Sequence, residues 1–596
     1  MPMPLDGLSV HALKNELAER LTNARVVKIF QPWSDTIILH LRSGDRSEKL
    51  LVSAFPEFPS AHLTRLQPEN PLQAPMFAMV LRKHLEPARL LRVDQVGLDR
   101  ILHFVFEAFD EDGRRTERTL VAELTGRSAN VVLVDTPRAQ IIDALRRGES
   151  AGRTMLPGAP YEPPPAPEEG RLSFDIDAPV LLRHVRLAAS PERLAGILMQ
   201  RLEGFSPFAA EECLLRAGYS PKTVRGDLDV DELQPVVDAA LDVAARVRDG
   251  RIAPTLFRKG GRLDCWILPP HAEGVEVLRQ SPSISEVADE AFAARHLDAR
   301  LGRERRQLAK LLRRHLKRAE RKLDERLRER REAEEAERYR HWGDLLTANL
   351  YRIPSRAESV DVPDYLQDNA PVRIPLDPRL SAVQNAQAYY KRYQRARRAA
   401  VELERLVRDA RMEADYLAQV LVSVELAESE DDLAEIVQEL RDQGLLPPGG
   451  SDRKRKSKRR EEPSRPLRFV SSDGHTIWVG RNNRQNERLT LRTARPHDLW
   501  FHAKDIPGSH VILRADGPVS DEALREAAVL AAYYSKARSS GNVPVDFVER
   551  RHVRKPAGAP LGYVIYDHHR TIYVTPTDEL VARLRPSDEA LDSGDT

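Results

Sequence analysis

Histidine is the side chain best suited to proton or metal chemistry near neutral pH, and seven of the 17 histidines in this sequence fall between His475 and His569. Asp498, His502, Asp505 and His510 sit close together there and are the residue types of a zinc site, but neither their spacing nor a shared helical face forces them to converge. They read as surface or RNA-contacting histidines. At the other end Met1 precedes Pro2, so loss of the initiator would expose an amino-terminal proline, the nucleophile type of one class of DNA glycosylases. Those enzymes also need a carboxylate beside it, and position three is Met3. The sequence has no Walker loop, HExxH, GxSxG or CxxC, and no GxGxxG after a strand. Its two cysteines, Cys213 and Cys265, supply neither a disulfide framework nor a four-thiolate zinc site. These residues predict a protein with no catalytic centre, no metal and no cofactor.

The elements that position such residues must be several, because 596 residues exceed one compact core. Residues 1–170 read as an α+β domain, with alternating apolar stretches at 26–41 and 120–134 and a proline-rich linker, PGAPYEPPPAPEEG, at 157–170. Residues 171–285 read as short helices around Gly and Pro turns, with a helix start at Ser206 and Pro207. Between 301 and 340 there is no proline, and Leu308, Leu312, Leu316, Ala319, Leu323 and Leu327 recur at steps of three and four. A second run, from Tyr389 and Tyr393 through Ala396, Ala400, Leu403, Val407, Ala410, Ala414 and Leu417 to Leu421, has the same period. The spacing predicts an antiparallel coiled-coil hairpin over 286–445, about 60 Å long in its first 40 residues alone, with a small non-helical tip at 343–383. A basic linker at 446–466, an α+β domain at 467–576 and an acidic tail at 577–596 complete the division. No apolar run is long enough for a membrane span, and the start carries no signal core, so a reducing cytoplasm is expected.

Net charge is only +2, but its distribution is uneven. Residues 301–340 hold 16 basic against nine acidic side chains, residues 463–576 hold 17 against 11, and seven of the eight positions 453–460 are basic. A coiled-coil arm needs solvated charge in any case. Three basic regions together predict phosphate-backbone contacts spread over a long distance, as on ribosomal RNA.

The stretch VGRNNRQNERLTLRTARPHDLWFHAKDIPGSHVILR, residues 479–514, resembles the RNA-binding domain of the NFACT family. Its residues suit that role as they stand. Arg481, Asn482 and Asn483 offer donors, Trp500 and His502 offer stacking faces at alternate strand positions, and Gly508 with Ser509 permits close backbone approach to a phosphate. Asp498, Lys504 and His510 complete the expected rRNA-binding set. Further resemblance lies in residues 75–102, 123–135, 204–212, 343–354 and 375–399, so it spans nearly the whole chain.

The resemblance implies a multidomain α+β protein: a glycosylase-like amino-terminal domain without glycosylase chemistry, a helix-hairpin-helix-like module, the coiled-coil arm and the RNA-binding domain. It implies a ribosome-associated quality control factor, not an enzyme, that binds large ribosomal subunits obstructed by peptidyl-tRNA. It would act as a monomer there, away from any membrane, and recruit tRNA(Ala) so that the ribosome adds a carboxy-terminal alanine tail. By the same resemblance Asp6, in LDG, and the pair Asp99 and Arg100 bind tRNA. A fibronectin-binding surface adhesin and a generic nucleic-acid or DNA-repair protein are the alternatives.

Overall fold

The computed structural model describes residues 5–110, 112–150, 152–165, 171–173, 175–334, 336–447 and 465–585. The basic run at 453–460 and most of the acidic tail therefore lie outside the described residues. The chain forms two compact units, Met1–Arg300 and Leu301–Thr596.

The first unit opens with helix Gly7–Leu21, whose buried stripe includes Leu8, Leu13, Leu17 and Leu21. Each of these contributes about 1.5–3 kcal/mol by leaving water. A nine-stranded sheet follows: β1 (Arg25–Trp33), β2 (Thr36–Ser43), β3 (Arg46–Ser53), β4 (Ser60–Leu63), β5 (Arg89–Gln95), β6 (Ile101–Phe109), β7 (Arg115–Glu123), β8 (Asn130–Asp135) and β9 (Gln140–Ala144). Spatial order is β4-β3-β2-β1-β5-β6-β7-β8-β9, all pairs antiparallel, so two meanders are joined where β1 meets β5. The apolar windows at 26–41 and 120–134 are the pairs β1–β2 and β7–β8.

The proline-rich stretch is not free linker throughout. The Ile141 N–H donates to the Ala159 carbonyl, the Gly158 N–H to the Ile141 carbonyl and the Tyr161 N–H to the Ala139 carbonyl, so its first residues extend along β9 at the sheet edge, where a missing proline N–H costs no ladder bond. The Tyr161 hydroxyl donates to Glu123, which is also paired with Arg153. Residues 166–170 lie outside the described residues.

Beyond it, helices Ala178–Leu187, Leu194–Arg201, Pro207–Arg216 and Val230–Arg248 precede a three-stranded sheet of Thr255–Lys259, Arg262–Trp266 and Val275–Gln280. Ser206 caps the third helix by accepting from the Ala209 N–H at 3.1 Å, the helix start expected from Ser-Pro. One apolar cluster runs from Leu5 through Leu198, Phe208 and Trp266 to Ala299, so the large sheet and these helices share a core.

In the second unit the helix Ile284–Glu334, from Leu301 onward, lies antiparallel to Ala382–Leu426: Arg313 pairs with Glu425 and Lys322 with Glu413. Their shared cluster includes Leu312, Ala319, Ala414, Leu417 and Val420. The expected seam is thus buried at its base and thins outward, where Leu323, Leu327, Ala396, Ala400 and Leu403 are only half-buried. The tip is a folded module rather than a non-helical connector. Helix Glu337–Ala348 and the hairpin of Ser359–Asp364 with Ala370–Pro375 close over Leu345, Leu346, Val362, Ile374 and Tyr389.

The carboxy-terminal sheet has the order Leu467–Val470, Thr476–Val479, Val511–Leu513, Leu499–Ala503, Val543–Glu549, Arg570–Val574. Helix Asp521–Tyr533 covers one face over Ile477, Phe501, Val511 and Val545. The opposite face holds Trp500, Ile512 and Val548 beneath Leu489, Val553 and Tyr566.

Candidate nucleic-acid interface

Asp6 is buried, and its carboxylate is occupied. Its Oδ1 accepts from the Ser9 N–H at 2.7 Å, capping helix Gly7–Leu21, and its Oδ2 accepts from Trp266 Nε1 at 3.0 Å and Ser206 Oγ at 3.2 Å. Burial pushes its pKa above the ordinary carboxylate range, against the lowering effect of those hydrogen bonds. The expectation that Asp6 faces a ligand is therefore corrected: it is a helix cap and a tie across the core.

The Asp99–Arg100 loop lies directly against this corner. Gln95 Nε2 donates to both the Asp99 carbonyl, at 2.8 Å, and the Gly7 carbonyl, at 3.2 Å. A Cβ on Gly7 would stand 2.0 Å from the Leu98 carbonyl and 2.6 Å from the Gly204 Cα, so only glycine lets the loop approach this closely. Glu203 Oε1 holds the loop from below by accepting from the Leu98 N–H at 2.8 Å. Asp99 Oδ1 accepts from the Arg100 N–H at 2.7 Å, and the Arg100 carbonyl accepts from the Leu124 N–H. The backbone is pinned, while the half-buried Arg100 guanidinium has no ion pair or hydrogen bond among the described residues. Gln95, Glu203, Gly204 and Trp266 are the positioning residues that sequence reading missed, since their partners are distant in the chain.

Most of the ten residues expected to touch rRNA are spent inside the second unit. An Arg481 guanidinium nitrogen lies 3.0 Å from each oxygen of buried Asp432. Asn482 donates to Glu435 at 2.6 Å and Asn483 to Glu439 at 2.9 Å. These three fasten the carboxy-terminal domain to helix Glu430–Asp442 rather than offering free donors. Trp500 is 0% exposed, so the stacking face expected there is corrected to a core position. It lies parallel to His502 with centroids 5.7 Å apart, as alternate strand positions require, and meets Tyr566 and His510 at 4.7 and 5.3 Å.

Asp498 is a buried turn residue that accepts from the Arg495 and Ala515 N–H groups. Gly508 approaches its own chain: a Cβ there would sit 2.6 Å from the Ser535 Cβ. The Gln419 side chain pairs with both backbone groups of Gly508, at 2.5 and 2.8 Å, and the buried Ser509 donates its N–H to the Tyr534 carbonyl. His510 is buried with Nδ1 2.8 Å from Thr490 Oγ1, and burial holds it well below the ordinary histidine range; burial lowers His502 to about 4. Lys504 stands 3.6 Å from Asp546 with its side chain 40% exposed, so it does present a cation to solvent.

The surface supplies what the buried set does not. Arg303, Arg306, Lys310, Arg314, Lys317 and Arg321 recur at steps of three and four along one face of the helix Ile284–Glu334, offset from the seam of Leu308, Leu312 and Ala319. All six are exposed and have no ion pair among the described residues. At 1.5 Å per residue the stripe runs about 27 Å. Arg492 and Lys536 are likewise exposed without an ion pair on the carboxy-terminal domain.

A pinned loop bearing an unpartnered arginine and a linear stripe of free cations are the furniture of a protein that binds nucleic-acid backbones. Comparison with known proteins agrees. Residues 6–460 match the NFACT N-terminal and middle domains, and residues 465–566 match the NFACT protein RNA binding domain. The chain belongs to the NFACT family. It is 34% identical over 593 residues to the Rqc2 homolog RqcH of Bacillus subtilis (strain 168), covering 98% of this chain and 100% of that one. It is 28% identical over 226 residues to the human ribosome quality control complex subunit NEMF, covering 38% of this chain and 19% of NEMF. Among solved structures, the C-terminal part of the fibronectin/fibrinogen-binding protein from Streptococcus suis is 32% identical and covers 48% of this chain and 100% of that chain, with a TM-score of 0.38.

Proposed function

We propose that this protein is a ribosome-associated quality control factor that holds a large ribosomal subunit obstructed by peptidyl-tRNA and recruits tRNA(Ala) to extend the stalled chain with alanine. The full-length similarity to RqcH carries the reading. The ribosome itself would join the amino acids, so the protein serves as a scaffold. On this reading 1–170 is a glycosylase-like domain that receives tRNA, 171–285 a helix-hairpin-helix-like module, 286–445 a coiled-coil hairpin, 446–466 a basic linker, 467–576 the RNA-binding domain and 577–596 an acidic tail.

Arg100 is the tRNA-facing group, because its planar fork suits a phosphate or a base edge and no neighbour among the described residues consumes it. Asp99 sets its backbone, and Asp6 supports the loop from the core. The cation stripe, Lys504, Arg492 and Lys536 take rRNA phosphates. A surface adhesin, suggested by the Streptococcus suis name, does not explain the match to an RNA-binding domain.

Sedimentation of cell extracts with sequencing of bound RNA tests this. The protein should travel with free large subunits and carry tRNA(Ala). Because each phosphate contact releases counterions, the triple variant Arg314→Glu, Lys317→Glu, Arg321→Glu should bind subunits more weakly and with a salt slope shallower by about 3. Equal recovery from every particle, or a slope unchanged in the triple variant, overturns the docking reading.

A further inference from the structure

The carboxy-terminal domain carries a cluster that the RNA-binding reading does not use: His552, Asp567 and His568 each bring one nitrogen or oxygen within 4.8 Å of the others. The fold assembles it in two ways. Val553 pairs with Tyr566 and Arg554 with Ile565, so continuing this antiparallel register places His552 across from Asp567. His568 then adopts a left-handed φ of 55°, a conformation for which histidine, like asparagine and aspartate, is enriched among non-glycine residues, and which turns the chain so that two consecutive side chains serve one point. In an extended strand they would point to opposite faces.

Neither carboxylate–imidazole distance within the cluster is that of a good hydrogen bond. Asp567 Oδ1 is 3.4 Å from His552 Nδ1 and 3.9 Å from His568 Nε2. Both exceed a good N–H···O bond, and the first matches the edge of about 3.3 Å between ligands of a tetrahedral zinc ion with bonds near 2.0–2.1 Å. The second oxygen, Oδ2, lies 3.6 Å from Arg554 Nη2, on the side away from the two imidazole contacts of Oδ1. Side-chain exposures of 31%, 48% and 75% for His552, Asp567 and His568 leave an entry path and room for a water in the fourth position.

We propose that His552, Asp567 and His568 form a zinc(II) site that fastens the turn between Ile565–Tyr566 and Arg570–Val574 to the segment at 550–554. Two imidazoles and one carboxylate match zinc in ligand type, and the three-ligand count leaves one position open. The site is separate from Asp498, His502, Asp505 and His510. Both imidazoles must be neutral to ligate, so protons and zinc compete for the same nitrogens.

The test uses the full-length chain stripped with chelator and dialysed, titrated with ZnCl2 by calorimetry and with CoCl2 by visible absorption. One equivalent should bind, with the intense d–d bands of low-coordinate cobalt. His552→Ala, Asp567→Asn and His568→Ala should each weaken binding at least tenfold, while His497→Ala and His569→Ala leave it unchanged. His568 is exposed enough that its replacement leaves the fold intact, which melting in chelator checks, so that variant decides the matter even if another misfolds. No metal uptake, or uptake undiminished by His568→Ala, overturns the site.

Discussion

At the scale of single residues, the molecule separates groups that touch ligands from groups that hold them in place. Asp6 and Arg100 occupy one corner, yet the carboxylate is saturated by a backbone N–H, an indole and a hydroxyl, while the guanidinium is free of partners among the described residues. Their substitutions should differ accordingly. Asp6→Ala removes a cap and strands the buried Trp266 N–H, so it should cost about 2–4 kcal/mol in denaturant unfolding of the first unit. Arg100→Ala should change stability by no more than about 0.5 kcal/mol and yet abolish bound tRNA while subunit binding persists. An Arg100→Ala protein that keeps its tRNA, or that unfolds as readily as Asp6→Ala, would remove Arg100 from the proposed contact. Asp6 was legible in the sequence as an acidic residue of interest; its actual task was not, because Trp266 lies 260 positions away.

At the scale of elements, the ion pair of Arg481 with Asp432 shows how a motif can serve assembly before recognition. The Asp432 side chain is fully buried, it accepts from the Ser429 N–H at the start of helix Glu430–Asp442, and Arg481 supplies its counter-charge. Asn482 and Asn483 continue the same contact one helical turn at a time through Glu435 and Glu439. Removing the arginine leaves a buried carboxylate unpaired, so Arg481→Ala should lower the stability of the second unit by about 3–5 kcal/mol, with loss of subunit binding following unfolding rather than preceding it. Arg481→Ala with Asp432→Asn should recover part of that loss, because the stranded charge is gone. If Arg481→Ala melts like the parent but binds subunits poorly, the arginine is an RNA contact after all.

At the scale of the whole molecule, buried titratable groups set an acid limit. His11, His40 and His103 in the first unit and His502 and His510 in the second all titrate below the ordinary histidine value, chiefly because burial disfavours the imidazolium. The folded state binds fewer protons than the unfolded one, so this stability is complete above about pH 6.5 and is lost as pH falls toward about 4. Asp6, raised, and Asp264, raised to about 6 by burial despite its Arg295 partner, act in the opposite sense: they favour the folded first unit at low pH and weaken as pH rises through that window. Glu439, also raised, trims the slope of the second unit. Calorimetry between pH 7 and 4.5 should therefore show the second unit losing more, on the order of 2 kcal/mol, than the first. Equal losses in both units would contradict that assignment.

Periodicity and local chemistry determined a good deal without any structure. Apolar steps of three and four located both long helices and Ser206 before Pro207 located a helix start, because each is a short-range pattern that the backbone must obey; the RNA-binding domain was reached through the resemblance of the string at 479–514 to a known family. Charge counts over 301–340 announced a basic arm, although only the helix geometry shows that Arg303, Arg306, Lys310, Arg314, Lys317 and Arg321 share one face. Tertiary structure alone decided which of the candidate residues meet solvent. Trp500 reads as a stacking platform, because strand alternation fixes its face but not what covers that face; Leu489 and Tyr566 cover it. Gly508 reads as room for a phosphate, and Ser535 fills that room. The tip at 343–383 was hidden by its prolines, which break helical period but permit a hairpin. Burial, ion pairing and close approach depend on segments tens to hundreds of residues apart, and a linear pattern carries no term for them.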